Sequence, residues 1–144
     1  MLSTRTSMIE LSSDECLELL MTRRPRVGRL AFDDAGGPMA FPIDYIADGR
    51  LIYFRAAPGS ALLAALEMRQ VTFEIDHIDD VPGPRTSATW DGGWSVLAFG
   101  RLRMLTDEEE LARMRTSLLR PSAHADDAPY LRMDVATLTG RRFV

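Results

Sequence analysis

Arg55 and Ser60 are the residues whose types and spacing come nearest to a chemical purpose. The arginine closes the apolar run Leu51-Ile52-Tyr53-Phe54, and Pro58-Gly59 then turns the chain into Ser60. A guanidinium donates paired hydrogen bonds to phosphate oxygens. A hydroxyl and the unpaired amides of a helix start add further donors with partial positive charge. The chemistry on offer is capture of a phosphorylated ligand. Taken alone, a strand, a turn and a capped helix are ordinary construction. Ser60 reads equally as a plain cap, and Arg55 as half of a surface ion pair.

The other reactive side chains offer less. All seventeen basic residues are arginine, so Schiff-base chemistry and a lysine phosphate clamp are excluded. Cys16 is the only cysteine and lies within a helical apolar pattern, where a small buried side chain is expected rather than a nucleophile. His77 and His124 have no metal-like spacing to each other or to Cys16. Glu74 and Asp76 alternate away from an apolar face and read as solvated carboxylates. Arg141 and Arg142 could close over an anion, but read as a solvated tail. No nucleophile, base and orienter fall together, so no catalytic residue is assigned.

The elements that must hold Arg55 and Ser60 follow from periodicity. Ser12 and Glu15 have capping-box spacing ahead of Cys16, Leu17, Leu19 and Leu20, and Pro25 ends that helix. Residues 26–32 read as a strand and 33–37 as a turn. Met39, Phe41, Ile43 and Tyr45 alternate in a second strand, confined to an edge or bulge by Pro42. Asp48-Gly49 is a two-residue hairpin signal leading into strand 51–55. The Ala/Leu-rich run 61–66 favours helix, and 71–76 alternates as a half-buried strand.

Residues 79–93 lose all pattern and read as a long loop. Strand 94–105 is apolar on both faces, which predicts burial of both in a barrel or a subunit contact, with Gly100 at a bend. A second capping-box spacing, Thr106 to Glu109, precedes a helix with Leu111, Met114 and Leu118 on one face. A last strand is expected at 130–135. About six strands in hairpins, with three short helices, predict a mainly β, antiparallel small barrel.

The chain has 144 residues, 46% hydrophobic and 26% charged, which suits one domain spanning 1–144 with 1–7 loose at its start. A net charge of −4 gives no general attraction to nucleic acid. No apolar run is long enough to span a membrane, and the acidic start is no secretory signal, so the expected compartment is the cytoplasm.

The ordered pieces LSSDECLELL (11–20), VGRLAF (27–32), Pro42-Ile43-Asp44-Tyr45, Asp48-Gly49, PGSALLAAL (58–66), VTFEID (71–76), GWSVLAFGRLRMLTD (93–107) and Thr139-Gly140-Arg141 together resemble the pyridoxamine 5′-phosphate oxidase-like, flavin-nucleotide-binding split β-barrels. The resemblance implies a six-stranded Greek-key split barrel. It also implies a homodimer holding flavin mononucleotide, with a deazaflavin or no flavin as alternatives, and redox chemistry on a small organic substrate. By the same resemblance, Arg55, Ser60 and the helix start at Ala61 and Leu62 would meet the phosphate. The ring would lie along Pro42, Asp44, Tyr45 and Phe54, and the partner's Trp94 and Ser95 would approach it. Relatives usually carry a basic residue where this chain has Ala61 and often an amide where it has Asp44. Either difference weakens flavin binding, and a non-catalytic dimeric module is the competing expectation.

Overall fold

A computed structural model describes residues 7–22, 27–64, 70–79, 92–121 and 127–143. Eight strands and three helices follow in the order β1 (Met8–Glu10), α1 (Ser13–Met21), β2 (Val27–Asp34), β3 (Gly37–Asp44), β4 (Ile46–Asp48), β5 (Leu51–Arg55), α2 (Ala61–Ala64), β6 (Val71–Ile78), β7 (Gly93–Met104), α3 (Glu108–Arg115) and β8 (Tyr130–Phe143). The strands form one antiparallel sheet in the order β3-β2-β6-β7-β8-β5-β4, with β1 on the far end of β8. The sheet curls so that β3 approaches β5, giving a split barrel with hairpin connections.

The expected six strands become eight for local reasons. The second predicted strand ends one residue early, as β3, and the residues after Tyr45 form a separate three-residue strand, β4. Residues 8–10 form β1 against Arg141–Phe143, within what read as a solvated tail. Pro42 does lie on an edge strand, since β3 ends the sheet and pairs only with β2. In the β4–β5 hairpin Asp48 pairs with Leu51, so the loop is Gly49-Arg50, one residue later than expected. Gly49, at φ 57°, supplies its left-handed start.

Strand alternation sorts residues between an apolar interior and an outer face. Inside lie Leu30, Ile43, Ile52, Phe54, Phe73, Ile75, Val96, Leu131 and Met133, nearly all fully buried. Burying one such side chain contributes about 1.5–3 kcal/mol. Phe73 sits at the centre, edge-on to Tyr45 and Phe54 with centroids at 4.9 and 5.2 Å. A Cβ on Gly28 would lie 2.2 Å from the Phe73 ring, so glycine is what lets β2 pass it. α1 covers one end of the interior with Cys16 and Leu20. Its Ser12 and Glu15 form the expected capping box, each side chain meeting the other's backbone N–H at 3.2 Å.

The predicted bend at Gly100 is present. The β7–β8 register slips between Phe99 and Gly100, where a Cβ would meet the Asp134 carbonyl at 2.0 Å. Beyond it, the outer face of β5 and β8 is covered by α3. Tyr53, Leu105, Met114 and Leu119 form a second, smaller core there. The cap of α3 is Asp107 rather than Thr106, its carboxylate accepting the Glu110 N–H at 2.9 Å. Leu111 and Met114 face this core, but Leu118 lies past the helix end and is exposed. Among the described residues no helix is long and apolar enough to cross a membrane. Residues 80–91 of the loop predicted at 79–93, His124, and residues 1–6, 23–26 and 65–69 lie outside the described residues.

Candidate functional site

Arg55 ends β5 with its side chain on the outer face, since Ile52 and Phe54 point inward. Its Nε and one terminal nitrogen donate to the Ala128 carbonyl at 3.3 and 3.1 Å, and the guanidinium stacks 4.6 Å from the centroid of the Tyr130 ring. Its backbone also bridges Pro121 in parallel. The strand end is thereby fixed by both segments that flank the 122–126 stretch.

The chain then turns through Gly59, at φ 75°, with the Ser60 N–H on the Ala57 carbonyl at 3.1 Å. Ser60 does not cap α2 with its side chain as expected. The Leu63 N–H bonds the Ser60 carbonyl instead, and the Ser60 hydroxyl is buried without a partner. Leu62 faces the core at 1% exposure, so it supports the turn from behind. Ala61 brings no charge to the position that opens α2.

On β3, Pro42 lies exposed on the outer face. Asp44, on the same face by alternation, is 92% buried under the segment that follows α3. Its Oδ2 accepts the Arg120 backbone N–H at 2.9 Å and lies 3.7 Å from Arg120 Nε, while its Oδ1 has no partner. Among the described residues, Asp44 Oδ1 and Ser60 Oγ are the two buried side-chain polar atoms left unsatisfied. Such an atom costs about 1–3 kcal/mol, so it calls for a donor or acceptor from elsewhere.

Tyr45 and Phe54 do not offer their rings to a ligand. Both are fully buried, and the Tyr45 hydroxyl donates to the Leu20 carbonyl at 3.2 Å. The resemblance put a ring along their strands; their side chains belong to the interior beneath that face.

Trp94 and Ser95 are successive residues of β7 and point to opposite faces, so they cannot line one surface together. Trp94 is buried, its ring 6.4 Å from that of His77. Ser95 faces outward, beside Asp76 on one side and Arg141 on the other. With Glu74, Ile78, Leu97 and Phe143 these residues line a cavity of about 310 Å³ on the outer face.

Glu74 and Asp76 are not the simple solvated pair read from alternation. Arg29 NH1 stands 3.5 Å from a carboxylate oxygen of each. Burial, then the hydrogen bond and charge of Asp76, raise the Glu74 carboxyl to about 7, against the opposing pull of Arg29. The sequence signal was two carboxylates two apart on a strand. What was missing was the register that sets Arg29 opposite Glu74.

A second group was missed altogether. The Tyr53 hydroxyl donates to Glu110, and Arg132 joins Glu110 at 2.6 Å and Asp134 at 2.8 Å. Burial first, then Glu110, pushes the Tyr53 hydroxyl up to about 12. This network seats α3, and with it the segment carrying Arg120 and Pro121. Among the described residues, no group of His, Cys, Asp and Glu is arranged to hold a metal.

The family model described as pyridoxamine 5′-phosphate oxidase matches residues 12–142. The chain belongs to that family. Within it, the chain is 30% identical to a protein from Mycobacterium smegmatis whose structure is described as that of an FAD binding protein. That likeness covers 94% of this chain and 98% of the other, with a TM-score of 0.74. An FAD-binding protein from Mesorhizobium loti shares the fold at 21% identity, covering 97% and 99% of the two chains, with a TM-score of 0.70. An uncharacterized protein of Mycobacterium tuberculosis is 28% identical over 142 residues, 95% of this chain and 86% of its own. One fold can host unrelated activities, so the reaction has to be argued from the site.

Proposed function

We propose that this chain binds a flavin nucleotide at the Arg55–Ser60 corner, as a homodimer, and serves a flavin-dependent oxidation or reduction of a small organic molecule. The observation that carries the reading is the pair of unsatisfied buried atoms, Ser60 Oγ and Asp44 Oδ1, at two positions where the family resemblance puts cofactor contacts. A phosphoryl oxygen suits the Ser60 hydroxyl, and a hydroxyl or imide N–H of the ligand suits the Asp44 oxygen. Family membership and the FAD-binding relatives support the same ligand class. A bound flavin supplies the electron or hydride transfer; the residues of this chain hold and orient it. The half-buried outer face around Leu97 and Phe99 supports a second copy as the cover.

The mononucleotide is the smallest flavin that carries a phosphate, and the dinucleotide carries a diphosphate in its place. Fluorescence titration with each, on native chain, R55A, S60A and A61K, tests the reading. We expect R55A and S60A to weaken binding about tenfold or more, each having lost a charge-assisted hydrogen bond of about 1.5–3 kcal/mol. A61K should tighten it. No quenching of either flavin by the native chain, together with colourless protein after gel filtration, overturns the proposal and leaves a module without flavin.

A further inference from the structure

The corner has one cation on β5 and none at position 61, yet a phosphoryl group carries up to two negative charges. A second guanidinium stands close by, on an element remote in sequence. Arg120 directly precedes Pro121, whose backbone bridges Arg55. One interstrand spacing and one residue step put the Arg55 and Arg120 Cα atoms no more than about 9 Å apart.

Arg120 is held in two unequal ways. Its backbone N–H is bound firmly by the buried Asp44 carboxylate at 2.9 Å. Its side chain is 70% exposed and approaches Asp44 only to 3.7 Å, at Nε, beyond hydrogen-bond range. With its cation so exposed and the approach so long, this contact holds the guanidinium only loosely, although Asp44 itself is buried. A phosphoryl group accepting two parallel N–H bonds from a guanidinium competes for it readily.

We infer that Arg120 is the second cation of the Arg55–Ser60 corner, recognising the ligand's phosphoryl group in place of a charge at position 61, with Asp44 positioning it through its backbone. This rests on the flavin-nucleotide reading above. Asp44 keeps the Arg120 backbone in place while the guanidinium turns from the carboxylate to the anion. The carboxylate in turn offsets the charge of the Arg120 guanidinium when no anion is present.

The geometry dictates a clean test, because the bond that holds the segment uses the backbone and survives any side chain but proline at 120. R120M and R120K are titrated with flavin mononucleotide and with riboflavin, which lacks the phosphate. R120M should weaken the mononucleotide about tenfold or more and leave riboflavin unchanged. R120K, which keeps charge but not the paired donors, should fall between R120M and the native chain.

Mononucleotide affinity unchanged in R120M overturns the inference, as does an equal loss for both ligands. R55A separates the two readings. If R55A weakens mononucleotide binding and R120M does not, the corner stands and Arg120 is excluded from it. If the native chain binds neither flavin, both readings fail together.

Discussion

Replacing Glu74 by glutamine should remove a pH dependence of stability that this one side chain imposes. In the fold its carboxyl is raised from the ordinary 4.5 to about 7, chiefly because β6 withdraws it from water beside Asp76. Between those values the folded chain keeps a proton that the unfolded chain releases. Stability therefore falls as pH rises from 4.5, and the loss is complete above 7. The gap of about 2.5 pH units, at about 1.36 kcal/mol each, sets a ceiling of about 3.4 kcal/mol. The Glu74 side chain remains 23% exposed, so solvent screening reduces the effect. We expect about 1–2 kcal/mol. Glutamine keeps the shape and a donor toward Asp76, and it cannot ionise. Urea denaturation of both chains from about pH 5 to about pH 8 gives two stability curves, and their difference isolates the Glu74–Asp76 pair from the remaining titrating groups. The native chain should lose about 1–2 kcal/mol relative to E74Q across that range. A difference that stays flat, or that moves in favour of the native chain, refutes the reasoning: Glu74 would then be ionised in the fold, held by Arg29.

The α3 network gives a second prediction. Tyr53→Phe removes the donor to a partly buried Glu110 and should cost about 1.5–3 kcal/mol in denaturation. In the native chain, ultraviolet titration should show one tyrosine ionising only near 12. At the α1–β8 contact, a Cβ on Gly140 would lie 2.6 Å from Cys16 Sγ and 3.2 Å from the Ser95 carbonyl, so Gly140→Ala should destabilise by about 1–3 kcal/mol. Adding Cys16→Ala should recover part of that loss, giving a non-additive double-mutant cycle. Cys16 itself is fully buried, with its thiol pushed up by burial and then by Glu15. It should resist a disulfide reagent in the native chain and react stoichiometrically once unfolded.

Local signals carried most of the barrel. The Ser12–Glu15 box, the alternation in β6 and β7, the Pro42 edge and the Gly100 bend are decided by neighbouring residues, and the structure has each where periodicity put it. Long-range pairing was less legible. Nothing near residues 139–143 says that a strand continues there, because its partners are residues 93–97 and Met8–Glu10. The α3 cap moved by one residue because Asp107 and Thr106 both suit the role, and Glu110 was needed by Arg132.

At the candidate site, Arg55 and Ser60 were visible as a strand end and a turn. Resemblance offered Trp94 and Ser95 as a pair, yet alternation along β7 sends them to opposite faces. Tyr45, Phe54 and Leu62 are interior, because the chain folds those faces onto Phe73 and the core rather than outward. Arg120 and the partnerless Asp44 oxygen had no sequence signal, since both depend on a segment 76 residues away packing over β3.

β8 is the seam of the sheet. It is paired along its length with β7, and it also holds β5 and β1, so partners from residue 8 onward wait for it. During synthesis, the hairpins made earlier must therefore persist with open edges until residues 130–143 have left the ribosome. Closure is then a late, long-range event of the kind that slows folding and leaves unpaired strands open to association. A shortened chain that stops before Tyr130 would lack the strand that joins its two halves, and it is the form in which we expect aggregation rather than a smaller barrel.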